Sequence, residues 1–278
     1  MFDRTRTWGT VAAACLAWAC GGSGDAGAGG EAPASEEAAE AAPVIDPATA
    51  GTIAGVIAFE GEAPAPRAID MAEEPDCADG YGSEGPLTQS VVVSDGGLAN
   101  VFVYVKEGLD LTFPTPSDPV ELNQEKCRYH PHILGLQADQ PLQISNSDPL
   151  LHNINTQPSL NRGFNISQPQ AGMETTRDFG VPEVMIPVKC DVHGWMSAYI
   201  GVLDHPYFAV SAADGSFSMP NLPPGGYVVE AWHELYGVQT MDVEVGEGET
   251  ADVSFTYSAD MAENAEVPLG EPLVLAGH

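Results

Sequence analysis

The sequence predicts an all-β protein. Three observations carry that expectation: no segment after residue 20 keeps a helical period for long, 30 Gly and 23 Pro interrupt the 278-residue chain, and short alternating runs end at turn-forming residues. Gly51-Thr52-Ile53-Ala54-Gly55-Val56-Ile57-Ala58-Phe59-Glu60 is the first such run, alternating in polarity and stopping at Gly61.

Ahead of it, Arg4 and Arg6 precede an apolar run from Trp8 to Ala19 that is too short to span a bilayer, and Cys20 follows at once with Gly21-Gly22-Ser23-Gly24. Residues 1–19 therefore read as a bacterial export signal. Cys20 sits as in a lipoprotein cleavage site, which implies lipidation there and attachment to a membrane in the periplasm or at the cell surface. Ala17 stands where Leu is usual, and an ordinary signal with an incidental cysteine is the alternative. Residues 20–48 are an acidic tether: Gly21 to Ala48 carries six acids and no Lys or Arg, and has too little apolar surface to bury a core. The formal charge is −31, and removal of Asp3, Arg4 and Arg6 with the signal makes it −32. Such a surface repels nucleic acid and anionic headgroups, so nucleic-acid binding is excluded as the expectation.

The first structured segment, 49–117, adds strands at Ser90–Ser94 and Leu98–Lys106 across Asp95-Gly96-Gly97, a hairpin signal. After the stiff linker Pro114-Thr115-Pro116-Ser117-Asp118-Pro119, segment 118–205 predicts strands at His132–Leu136 and Pro141–Ile144. Asn155 to Thr176, rich in Gln, Asn, Ser and Pro, is expected to be a surface crossover. Val184, Ile186, Val188 and Cys190 alternate along one face, and Ala198, Ile200 and Val202 form a return strand. Residues 206–257 carry further strand and turn signals, and 258–278 is an acidic tail.

The chemistry concentrates in Lys189-Cys190-Asp191-Val192-His193-Gly194-Trp195-Met196, which places a thiolate, an imidazole and a thioether at CxxHxxM spacing between two apolar runs. The fourth donor is His152, which follows the polar turn Ser145-Asn146-Ser147-Asp148-Pro149. Two His, one Cys and a weak axial Met form the ligand set of mononuclear blue copper sites, whereas zinc takes further Cys or His. The remaining thiols, Cys77 and Cys127, are expected to form a disulfide in an oxidising envelope. A second metal site is the competing reading, because Cys127-Arg128-Tyr129-His130-Pro131-His132 also gathers donors. With the disulfide formed, His130 and His132 become surface residues or neighbours of the metal ligands. His205 and His233 have no second donor at metal spacing and are expected to be hydrogen-bonded structural histidines.

These residues resemble the cupredoxins, and most closely the amicyanins, whose sites close with the same short CxxHxxM loop. The resemblance runs from about Val120 to Asp204 and includes the pair His152-Asn153. It implies a Greek-key sandwich with one copper ion held by His152, Cys190, His193 and Met196, and Asn153 tying the His152 segment to the Cys190 loop. Trp195 replaces a smaller aromatic of the amicyanin loop; it is expected either as an apolar docking patch or as filling beneath the loop. The rhythm of Phe208 to Glu230, with Asp214-Gly215 and Pro223-Pro224-Gly225 turns, resembles the carboxypeptidase regulatory-like, or transthyretin-like, β-sandwich. Fifty residues are too few for that sandwich, and Gly51–Gly61 with Leu98–Gly108 resemble its opening strands. The expected architecture is a cupredoxin-like sandwich inserted in or joined to a transthyretin-like one; a single larger cupredoxin from Gly51 to Asp204 with a small appendage is the alternative.

The expected function is exported single-electron transport, not enzymatic, between envelope partners such as a c-type cytochrome or a membrane oxidoreductase. The rivals are a copper protein for catalysis, storage or delivery, and a metal-free binding module. His193, on the loop, is expected to be the more exposed imidazole. Residues 118–205 hold five of the seven basic residues that remain after the signal, against ten acids. The acidic parts are therefore expected to steer a basic partner, with the near-neutral face at the loop.

Overall fold

The computed structural model of the chain describes residues 45–263. The export signal, Cys20, most of the tether and the end of the tail lie outside the described residues. What is described is almost all β, and no helix among the described residues is long and apolar enough to cross a membrane.

Four strands precede the proline linker: β1 (Gly51–Glu60), β2 (Val93–Ser94), β3 (Gly97–Leu98) and β4 (Phe102–Glu107), with the short helix α1 (Pro75–Ala78) between β1 and β2. The next are β5 (Val120–Glu125), β6 (Arg128–His130), β7 (Ile133–Gln137), β8 (Leu142–Asn146) and β9 (His152–Thr156). They are followed by β10 (Asn165–Gln168), β11 (Met173–Arg177), β12 (Glu183–Lys189) and β13 (Ser197–Leu203). Five more close the chain: β14 (Phe208–Val210), β15 (Ser216–Leu222), β16 (Gly225–His233), β17 (Gly237–Val245) and β18 (Thr250–Ser258).

Pairing divides these strands by position in the chain. One sheet runs β15-β1-β3-β2 with β18 added parallel to β1, and a second runs β14-β4-β16-β17. The strands between 120 and 203 form two other sheets, β10-β9-β12-β13-β7 and β11-β8-β5-β6. The chain thus begins one pair of sheets, completes a second pair, and returns to finish the first.

Side-chain alternation explains how both pairs close. Val101, Val103 and Val105 point into a core shared with Ile53, Ile57, Val229 and Phe255, while Phe102 and Tyr104 point the other way. Those two aromatics pack with Ile133, Met185, Tyr199 and Leu203, so β4 joins the two pairs of sheets. Close approach there requires glycine: a Cβ on Gly201 would lie 2.5 Å from the Phe102 ring, and one on Gly135 would lie 2.4 Å from Phe208. The second core gathers Leu122, Leu136, Leu142, Ile144, Ile154, Ile186, Val188 and Ile200 around Cys190 and Met196.

Local differences from the sequence expectations have physical causes. The predicted strand Leu98–Lys106 is broken at Asn100, whose φ of 61° lets the chain pass from the β3 sheet to the β4 sheet. The Ser211 hydroxyl accepts the Val101 N–H at that break, 2.9 Å away. The polar stretch Asn155–Thr176 contains β10 and β11 rather than only crossover; both are edge strands, where one face and one ladder can remain polar. Val184 does not share the face of Ile186 and Val188, because Met185 takes φ of 60° and shifts the register. Val184 packs instead against the β4 aromatics. In the predicted tail, Ala259–Glu263 forms a 3-10 turn.

Candidate metal centre

The Cys190–Met196 loop closes because β12 and β13 are already paired beneath it, Val188 opposite Ala198 and Lys189 opposite Ser197. Inside the loop the Cys190 N–H donates to Met196 O at 3.2 Å, the Met196 N–H to His193 O at 3.0 Å, and the His193 N–H to Cys190 Sγ at 3.4 Å. These bonds turn the sulfur, the imidazole and the thioether residue inward. His152 opens β9, which pairs with β12 through Asn155–Lys189 and Thr156–Val188 and so lies beside the loop.

The ligand atoms of His152, Cys190 and His193 all lie within 4.8 Å of one another. His152 Nδ1 is 2.9 Å from His193 Nδ1, and Cys190 Sγ is 3.8 Å from the same His193 nitrogen. Met196 is buried in the core cluster that contains Cys190. All four expected ligands are enclosed, with exposures of 0% for His152, 3% for Cys190, 2% for His193 and 1% for Met196.

That burial corrects one expectation. His193, at 2%, is more exposed than His152 only in name and presents no open edge, because the excursion between β1 and β2 folds over the loop. Cys77, on α1, is bonded to Cys127, and their sulfurs lie within 4.8 Å of a ligand atom of His193. Met71 and Cys77 join the core that contains Cys190 and Met196. Trp195 is half-buried, with its ring 5.2 Å from that of His193 and its indole N–H donated to Cys127 O at 3.1 Å. It therefore combines a filling role with one edge along a surface cleft shared with Arg67, Asp70 and Arg128.

Asn153 links strand and loop. Its Oδ1 accepts the Asp191 N–H at 2.8 Å and lies 3.3 Å from Cys190 Sγ. Its amide, with those of Asn155 and Asn165, donates to the Asp191 carboxylate at 2.8 to 3.1 Å. Tyr129 O–H donates to Asn153 O beneath the pair. Asp148, which the sequence offers only as a turn residue, accepts from His152 Nε2 at 2.8 Å; an acid four positions before the candidate ligand was the available signal.

His130 belongs to no donor group among the described residues. His132 is not a surface residue: it is buried, with Nε2 2.6 Å from Glu234 Oε1 and Nδ1 3.1 Å from the carbonyl of Ser197, the residue after Met196. The disulfide also removes both thiols from a second metal site. His205 Nε2 meets Val105 O at 2.9 Å, and His233 Nδ1 accepts the Leu235 and Tyr236 N–H groups, so both are structural.

Burial raises the Cys190 thiol, but hydrogen bonding to His152, His193 and the backbone outweighs it and brings the pKa to about 6. For Asp148 burial again opposes ionisation, and the His152, Cys127 and Lys126 donors hold the carboxyl below its ordinary value. Burial lowers His152, while Asp148 and Cys190 raise it further, for a net upward shift. The donor set suits a borderline-soft transition metal: one readily formed thiolate, two imidazoles and a thioether in an apolar cage. Donor atoms about 2.0–2.3 Å from one ion lie roughly 3–4 Å apart, and the separations of 2.9 and 3.8 Å are on that scale.

No protein-family model matches the chain, and no curated protein does. Among solved structures it is similar to a copper-containing nitrite reductase (NirK) from Thermus scotoductus SA-01, at 17% identity over 37% of this chain and 26% of that one, with a TM-score of 0.28. The chain thus spans about a quarter of the reductase's length. An oxidised amicyanin variant is 14% identical over 36% of this chain and 89% of its own, with a TM-score of 0.28. A purple cupredoxin from Nitrosopumilus maritimus is 17% identical over 30% and 97%, with a TM-score of 0.26.

Proposed function

We propose that this chain is an exported, lipid-anchored, mononuclear type 1 copper protein that carries single electrons between envelope redox partners and catalyses no reaction of its own. The observation that carries the reading is the convergence of His152, Cys190 and His193 in one buried cluster, on a loop that also buries Met196. Copper held by these four residues supplies a one-electron Cu(I)/Cu(II) couple.

The chain's own residues do the rest. Cys190, with its lowered pKa, offers a thiolate near neutral pH. Asn153 and the loop's own hydrogen bonds fix the sulfur and the His193 backbone, and Asp148 holds the His152 ring, so little ligand motion accompanies a change of charge. Enclosure of all four ligands excludes water and leaves room for electrons rather than substrates. Val192 is 47% exposed, Gly194 is exposed and Trp195 half-buried. In this reading these residues form the contact face for a protein partner such as a c-type cytochrome or a membrane oxidoreductase.

The test is an optical and EPR titration of the purified chain with Cu(II), in parallel with Cys190→Ser. An intense visible sulfur-to-copper band saturating at one equivalent, and lost in the variant, is the expected result. Copper bound without that band, or equally by both proteins, would show a different use of the metal.

A further inference from the structure

We propose that Asp148 is a positioning residue for the metal centre: its carboxylate selects the His152 tautomer that leaves Nδ1 free to ligate, and its negative charge favours Cu(II) over Cu(I). The inference rests on the copper reading above, and its geometry stands on the following contacts.

Asp148 lies in Asn146-Ser147-Asp148-Pro149, and its own N–H is fixed by Asn146 Oδ1 at 2.9 Å. Asn146 is held in turn, donating to Leu150 O and Gln168 O at 2.9 Å each. The carboxylate accepts from Lys126 N at 2.7 Å through Oδ1, and from Cys127 N at 2.7 Å and His152 Nε2 at 2.8 Å through Oδ2. Lys126 and Cys127 form the two-residue connection between β5 and β6, and both have positive φ, 52° and 54°. Two successive left-handed residues aim adjacent N–H groups at one point, an anion-binding arrangement, and here the anion is a side chain of the same protein. Cys127 is also the residue anchored by the disulfide. The acceptor is therefore held from the turn, the disulfide and the Asn146 amide.

An ionised carboxylate only accepts hydrogen bonds, so His152 Nε2 must carry the proton. The lone pair then belongs to Nδ1, which faces His193 Nδ1 at 2.9 Å. This is the arrangement in which an outer carboxylate raises a ligand imidazole's basicity. A fixed negative charge in contact with the ring stabilises the more highly charged ion more, so its removal raises the reduction potential.

The experiment compares the whole copper-loaded chain with Asp148→Asn, which keeps the size and one acceptor oxygen but removes the charge. A purely structural role would lower stability and leave the potential unmoved. The expected change is about tenfold in the ratio of Cu(II) to Cu(I) affinity, read as a rise in midpoint potential of about 59 mV for one electron. Nitrogen-15 NMR of the copper-free wild type, at a pH where the His152 ring is neutral, gives a second readout, expected to show its single proton on Nε2. A raised potential with that tautomer supports the proposal, and a lowered one overturns it. An unchanged potential with the sulfur-to-copper band intact overturns the role of Asp148 and leaves the copper reading standing. A neutral ring that carries its proton on Nδ1 instead of Nε2 in the wild type overturns it even if Asp148→Asn fails to fold. Absence of the band in the wild type sinks both.

Discussion

Removing the disulfide over His193 should cost both stability and enclosure. The bond joins residues 50 apart, and the loop-closure entropy it removes from the unfolded chain corresponds to about 4 kcal/mol. Both cysteines are 1% exposed, so alanines in their place gain no compensating hydration. The assay is equilibrium unfolding of Cys77→Ala/Cys127→Ala and the parent in guanidinium chloride, both copper-free. The variant is expected to be less stable by about 4 kcal/mol, and its His193, 2% exposed in the parent, should become open to modification by diethyl pyrocarbonate. A loss below about 1 kcal/mol, with His193 still protected, would refute the view that this bond clamps the excursion over the metal loop.

Gly201→Ala should lose about 1–3 kcal/mol in the same assay, because overpacking displaces the Phe102 ring from between the sheets; an unchanged midpoint would mean that the two pairs of sheets do not pack as described. Asn153→Ala leaves the Asp191 N–H without its acceptor and should cost about 1–3 kcal/mol, with a shifted sulfur-to-copper band as the functional readout. Burial lowers His233 from 6.5 to about 4, so between those values the unfolded chain binds the extra proton. Stability should therefore fall as pH drops from 6.5 toward 4; His233→Asn should flatten that slope, and an equally steep curve would contradict the assignment. Under the proposed electron-transfer role, the charge of −31 makes transfer to a basic partner slow as salt rises, and a rate indifferent to ionic strength would argue against steering.

Much of this was legible in the sequence where chemistry and spacing are local. The CxxHxxM loop carries three donors within seven residues, and alternation in β12 and β13 specifies which way they face. Cys77 and Cys127 could be paired by compartment because the other thiols had uses, and the bond is present. What stayed hidden depends on contacts between distant segments. Glu234 meets His132 102 residues away, so His132 could be weighed only against donors near it in the sequence, and Glu234 not at all. The burial of His193 comes from a segment more than 100 positions earlier, which a reading of the loop alone cannot supply. Asp148 was visible as a turn former, but its contact with the Lys126-Cys127 turn arises only when β5 and β8 pair. The left-handed φ at Met185 likewise follows from packing against β4, which overrides the alternation written in β12.

The central claim is that His152, Cys190, His193 and Met196 share one copper ion. X-ray absorption at the copper edge of the singly loaded chain tests it most directly. The account predicts one short sulfur scatterer and two imidazoles in both oxidation states, with little change between them. A first shell of only nitrogen and oxygen, or a sulfur that persists in Cys190→Ser, would contradict it.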